Sequence, residues 1–257
     1  MRSLFSALAF LTRIPIPEKL KSRKLNGMFA GYPLAGLLIG GMLSLVFFLC
    51  GLLAPAAVGA VVLIAFSLLL TGAMHLDGLA DCADAFYGQR DRETTMRILK
   101  DPRIGTMGGA AIGISLMARY AAFTTLPTLV LIGALPVLSM FSRSTVLLAM
   151  KMLPYARGEE GILSTESAVG PFPFALGLLV ILLSAALLPV PTIVALAAVL
   201  LFWLFSWKKI GGCTGDVLGA TIEISEIVFL LAFVAAGREE QWGAFSPLLA
   251  LIFGAGA

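Results

Sequence analysis

Residues 56–86, AAVGAVVLIAFSLLLTGAMHLDGLADCADAF, join an unbroken apolar run to three aspartates, Asp77, Asp81 and Asp84, spaced four and three residues apart. The apolar part, 56–76, has the roughly 20 residues that a bilayer-crossing helix needs. On a helix, positions i, i+4 and i+7 share a face, so the three carboxylates would crowd together at the edge of the membrane. Like charges that close raise one another's pKa unless a cation or protons intervene. Hard oxygen donors in such a group suit Mg²⁺, which takes a few carboxylates and completes its shell with water or substrate phosphates. The stretch predicts a membrane helix leading into a site for a diphosphate.

Composition supports the membrane reading. Of 257 residues, 59% are hydrophobic and 13% charged, with a mean hydropathy of +0.99, outside the range of an ordinary soluble domain. Further apolar runs at 30–53, 106–124, 127–150, 172–188, 192–207 and 217–236 bring the total to seven. The expected fold is all-α: a polytopic helical bundle of about seven spanning helices within a single transmembrane domain, 1–257. Residues 245–257 form either an incomplete eighth span or a helix lying at the interface. Residues 1–29, with a short apolar stretch followed by Arg13, Pro15 and Pro17, read as an interfacial segment, with no secretory leader. Cys50, Cys82 and Cys213 are too few and scattered for a disulfide scaffold or a zinc site. The net charge of +3 sits in loops and implies no nucleic-acid partner.

Basic residues are unevenly shared between those loops. Positions 2–24 carry six, the 77–105 loop carries Arg90, Arg92, Arg97, Lys100 and Arg103, and later loops carry Lys151, Arg157, Lys208 and Lys209. The alternate loops carry almost none. The positive-inside rule then puts the N-terminus, the aspartates and the 208–216 loop in the cytoplasm, where an active site would meet nucleotides.

Two of these cytoplasmic segments carry chemistry. In YGQRDRETTMRILKDPRIGTMGG, 87–109, Gly105, Gly108 and Gly109 open a spanning helix beside Asp101, Arg103 and Thr106. Free N–H groups and the positive end of the dipole attract phosphate there, although glycines also let membrane helices pack closely. In GGCTGDVLGATIEISEIVF, 211–229, Asp216 is followed on the same face by Glu223, with Glu226 beyond. An acid at mid-bilayer costs up to ~3 kcal/mol, so these need a polar cavity, a cation or a proton, or Glu226 snorkels to the headgroups. Arg143, inside a span, is expected to pair with a carboxylate or a substrate phosphate, and Arg119 with Glu226. His75, the only histidine, is a proton carrier, an orienter of Asp77, or an interface residue.

The motifs HLDGLAD (75–81), DPRIGTMGG (101–109) and TGDVLGATIE (214–223), together with FLTRIPIP (10–17) and GYPLAGLLIG (31–40), resemble the adenosylcobinamide-GDP ribazoletransferase, or cobalamin synthase, family. Cys82, Ala85 and Pro102 depart from its usual threonine, glycine and serine, and none of these removes a carboxylate or a base. The resemblance implies the closing step of cobalamin assembly in the bacterial inner membrane. There the 3′-hydroxyl of α-ribazole, or of its 5′-phosphate, displaces GMP from adenosylcobinamide-GDP, with Mg²⁺ as the metal. Displacement at phosphorus asks chiefly for charge neutralisation and positioning. Asp77, Asp81, Asp84, Asp101 and Asp216 are the expected metal ligands. His75, Asp81 and Glu223 are the catalytic candidates, while Arg103, Gly105, Thr106, Gly108, Gly109, Arg143, Thr214 and Gly215 are expected to hold substrate. Expected partners are the two small-molecule substrates, the bilayer, further copies of the chain and neighbouring enzymes of the pathway.

Two rival readings remain. A CDP-alcohol phosphotransferase also sets aspartates at a cytoplasmic helix end, but its DxxDG, AR, GxxxDxxxD array does not match the spacing here. A transporter would show inverted repeats and mid-bilayer ionisable groups; no repeat is visible, and the acids gather toward one membrane face.

Overall fold

The computed structural model describes residues 1–22, 25–157 and 169–237, so the 245–257 run lies outside the described residues. Eleven helices follow in order among them: α1 (Arg2–Leu11), α2 (Leu25–Phe29), α3 (Tyr32–Gly51), α4 (Ala56–Thr71), α5 (Met74–Phe86), α6 (Arg92–Ile98), α7 (Thr106–Thr125), α8 (Thr128–Met152), α9 (Pro171–Leu187), α10 (Pro189–Ile210) and α11 (Gly215–Ala236). A short 3-10 turn spans Glu18–Leu20. Among the described residues the only β-type pairing is one isolated bridge between Tyr155 and Cys213.

Six of the seven apolar runs form single helices, while the run 56–76 breaks after Thr71 and continues into α5, and they differ as membrane spans. Four helices, Gly27–Gly51, α8, α10 and α11, are long and apolar enough to cross a bilayer, and α4 with α5 makes a fifth if the bent pair counts as one broken span. At 17 residues α9 is shorter, and α7, 20 residues long, carries Ser115 and Arg119 in its interior and threonines at both ends. The chain is a multi-pass membrane protein. Prolines in the first turn start α3, α9 and α10, where a missing N–H costs nothing.

The centre of the bundle is α8 and α11. From Phe141 to Ala149 every residue of α8 is buried. A Cβ on Gly36 or Gly40 of α3 would run into the α8 backbone at Ser139 and Leu135, the close approach that small residues permit where no hydrophobic force drives helices together. Pro136 interrupts α8 and leaves the Ile132 carbonyl without its helical donor. Ser44 of α3, its Oγ 2.7 Å from Ile132 O, supplies one.

At the junction of α4 and α5 the chain turns by 89°. Gly72 (φ 65°) ends α4 in the left-handed region, and Ala73 (φ 56°) repeats that conformation at a side-chain cost. Arg13 is packed over the turn: its N–H donates to Leu70 O at 2.7 Å, and its guanidinium fills the space where a Gly72 side chain would stand. Gly72→Ala is therefore expected to lower stability by about 1–2 kcal/mol, measured as a fall in the unfolding midpoint of the micelle-solubilised protein. Pairing it with Arg13→Ala should recover only the steric part, since the φ penalty stays.

Candidate active site

The two acidic motifs meet where α5 crosses α11. A Cβ on Gly78 would lie 2.7 Å from Asp216 O, and one on Gly219 would stand 3.4–3.6 Å from Met74, His75 and Gly78. The helices thus touch backbone to backbone. Asp77 and Asp216, 139 positions apart in the chain, consequently line one cavity of about 220 Å³ together with His75 and Gly215. Asp81, one turn further along α5 and half-buried, sits in the field of Asp77, Asp216 and Asp84, opposed by Arg157.

Asp216 is held from several sides. Thr214 caps α11, its Oγ1 accepting from Val217 N (3.4 Å) and donating to Asp216 Oδ2 (3.1 Å). The carboxylate lies in the first turn, at the positive end of the dipole. Arg157 donates to the same oxygen at 2.7 Å and reaches Leu99 O at 3.4 Å. What places Arg157 is the bridge after α8, where Cys213 N donates to Pro154 O (2.8 Å) and Ala156 N to Cys213 O (2.9 Å). Arg92 clamps the same loops through Ile210 O and Ala156 O, each at 2.9 Å. In the sequence Arg157 is only one of several loop cations, because its partner is chosen by a contact between distant loops.

At the start of α7, Gly105 N and Gly108 N donate to the two oxygens of Asp84 at 2.6 and 2.9 Å. A side chain on either glycine would collide with that carboxylate. The donors expected to hold phosphate thus hold the anion of a neighbouring helix, so Asp84 and the glycine-rich entry partner each other. Arg90 donates to the Asp84 carbonyl at 2.7 Å. Thr106 and Gly109 are exposed at the same helix start. Asp101 and Arg103 pair with one another at the surface, at 2.6 and 2.9 Å, and Arg103 holds the Asp101 carboxyl down at about 2.

Deeper in the bundle lies a second group. Arg119 Nη2 donates to Glu223 Oε2 and to Glu226 Oε2, both at 2.8 Å. Arg143 donates to Glu226 Oε1, and Ser115 and Ser142 add hydroxyl bonds at 3.2 and 3.0 Å. Two arginines and two glutamates thereby balance charge, which is how acids survive at such depth. They line a cavity of about 30 Å³, room for about one or two waters. Glu223 faces this cavity, and the one beside Asp216 is lined by its neighbours Gly219 and Ile222. His75 lines both, buried, and its Nε2 has no hydrogen-bond partner among the described residues.

A protein from Chlorobium phaeobacteroides (strain BS1), named adenosylcobinamide-GDP ribazoletransferase, is 38% identical over 241 residues, covering 89% of this chain and 95% of its own. Proteins of the same name from Desulfitobacterium hafniense (strain Y51) and Acetivibrio thermocellus are 36% and 32% identical, covering 90% and 91% of this chain and 96% and 97% of their own. No solved structure matches the chain. The family model described as Cobalamin-5-phosphate synthase matches residues 3–234, a stretch that includes α5, α7, α11 and every acid described above, and the chain belongs to that family, CobS.

Proposed function

We propose that this chain is the membrane transferase that closes cobalamin assembly. It joins the adenosylcobinamide-phosphate moiety of adenosylcobinamide-GDP to the 3′-hydroxyl of α-ribazole, or of α-ribazole 5′-phosphate. The acceptor oxygen forms a new bond to the corrinoid-side phosphorus, the bond from that phosphorus to GMP breaks, and the hydroxyl proton passes to a base of the site. Family membership supports the reaction. The observation that carries the site is the crossing of α5 and α11, which puts Asp77 and Asp216 on one cavity wall with Asp81 beside them.

The acids fit magnesium by chemistry. Asp77, Asp81 and Asp216 offer hard oxygens with Arg157 as the one cation opposing them at Asp81, an excess of negative charge that a divalent cation would relieve. Among the described residues no three acid, histidine or cysteine side chains are grouped tightly enough to hold a metal alone. An open set of this kind suits an ion that keeps waters and shares its shell with phosphate oxygens. Bound there, magnesium would neutralise charge on the diphosphate. Arg157 stands beside Asp216 for the same task. Asp81 or His75 would receive the hydroxyl proton, Glu223, paired with Arg119, lines the inner cavity that His75 also lines, and Asp84 sets the approach of α7. The uneven loop charges orient this end toward the cytoplasm, with the chain in the inner membrane.

The test is GMP release from adenosylcobinamide-GDP and α-ribazole by the purified protein, beside CMP release from a CDP-alcohol. GMP is expected, its release stopping with a chelator and returning with added Mg²⁺. CMP release, or turnover indifferent to the chelator, overturns the reaction or the metal respectively.

A further inference from the structure

We infer that the 220 Å³ cavity between α1, α3, α5, α8 and α11 is the seat of the acceptor nucleoside, with an apolar aromatic base buried in it and the sugar hydroxyls at its acidic wall. The inference rests on the proposed transfer reaction and assigns one substrate to one place. Its lining is divided. Phe10, Tyr32, Val146, Met150, Leu218 and Ile222 supply an apolar wall, and the polar side is Asp77, Asp216 and His75.

Charge decides what enters. The lining has no lysine or arginine and two carboxylates, so phosphates stay at the acidic edge, where magnesium and Arg157 would meet them, and the interior takes an uncharged group. A neutral group with an apolar face and hydroxyl donors meets complementary partners on both sides. Size decides further. Pockets that enclose whole drug-sized ligands run from ~300 to ~1,000 Å³, so a cavity of about 220 Å³ takes an aromatic base with part of its sugar and leaves the far larger corrinoid outside.

Two local features point the same way. Phe10 and Tyr32 lie with ring centroids 6.4 Å apart and planes 26° from parallel, and Phe10, 41% exposed, leaves an edge for a flat base to extend the stack. His75 is 4% exposed and its Nε2 has no partner, which a buried polar atom tolerates poorly. A sugar hydroxyl in the cavity would bond to it. The same placement presents a neighbouring hydroxyl to Asp77 and Asp216, where the phosphorus arrives from the Arg157 side.

The probe is α-ribazole, titrated calorimetrically into the full chain in nanodiscs, with steady-state kinetics for both substrates. Val146→Phe fills the cavity and is expected to weaken α-ribazole binding and raise its KM by about tenfold or more, while the KM for adenosylcobinamide-GDP stays put. Phe10→Ala, at the exposed rim where folding is least at risk, should move the acceptor KM in the same direction. A ribonucleoside with a polar base, adenosine, should bind the wild type at least about tenfold more weakly than α-ribazole.

Unchanged acceptor KM in both variants alongside normal GMP release would overturn the seat and leave the reaction standing. So would a shift confined to the KM of adenosylcobinamide-GDP, which would give the cavity to the donor. Binding of α-ribazole that Val146→Phe abolishes, without GMP release under any condition, would uphold the seat and sink the reaction.

Discussion

Asp81→Asn is expected to lower the rate of GMP release by about 10²–10³-fold, the order of loss when a preorganised charged group of a site is removed, here a carboxylate that would hold the metal or take the hydroxyl proton. Asparagine keeps the size and one carbonyl oxygen but not the charge. Asp81 is half-buried and makes no ion pair among the described residues, so the unfolding midpoint should stay near wild type. Loss of rate without loss of fold is what separates a working acid from a structural one. Asp77→Asn should behave alike, being exposed on the same cavity wall as Asp216. Asp84→Asn makes the contrast: its carboxylate holds the N–H groups of Gly105 and Gly108, so stability falls together with rate. Steady-state turnover at saturating Mg²⁺ and a thermal unfolding scan decide the matter. Near-normal turnover in Asp81→Asn would remove the acid site from the mechanism.

How far this site could be read from the chain depends on the range of the contact involved. Apolar runs mark their helices because the bilayer demands about 20 residues of them, and a carboxylate triad at four and three residues declares its own face. The 89° turn was less visible. The run 56–76 looks continuous, yet the helix stops at Thr71 because Gly72 and Ala73 adopt left-handed angles, and TGA is a weak stop signal in an apolar context. His75 therefore opens a second helix and does not end the first. For Glu223 and Glu226 the cost of burial could be foreseen, and so could a guanidinium to meet it. That Arg119 serves both depends on the register of α7 against α11, which no local pattern encodes. The α7 donors were legible as donors, but the carboxylate that takes them comes from α5. Arg157 was invisible as a site residue, since only the pairing of Pro154 and Ala156 with Cys213 carries it to Asp216.

The other large effect belongs to the buried charges. Glu226→Leu should cost about 3–5 kcal/mol, because removing one partner of a buried pair strands the other in low dielectric. Arg143 would lose its acidic partner while its Nε already has none, and Arg119 would keep only Glu223. Taking both charges away tests the explanation. In Arg143→Leu/Glu226→Leu the Arg119 and Glu223 pair survives, Ser142 still donates to Ser139 O, and no uncompensated charge is left, so most of the lost stability should return. Replacing a whole buried pair by apolar groups is often neutral, and a coupling above about 1 kcal/mol between the two changes is the expected signature. Unfolding of each variant in micelles measures it; a double variant no more stable than Glu226→Leu would mean that the four side chains do not act as one compensated unit. Turnover of the refolded double variant then assigns Arg143. If stability returns and rate returns with it, Arg143 serves to neutralise Glu226. If stability returns and rate does not, the guanidinium also serves the substrate or holds His75 in place, and the KM for each substrate in that variant distinguishes the two, since only a substrate contact raises KM for one of them selectively.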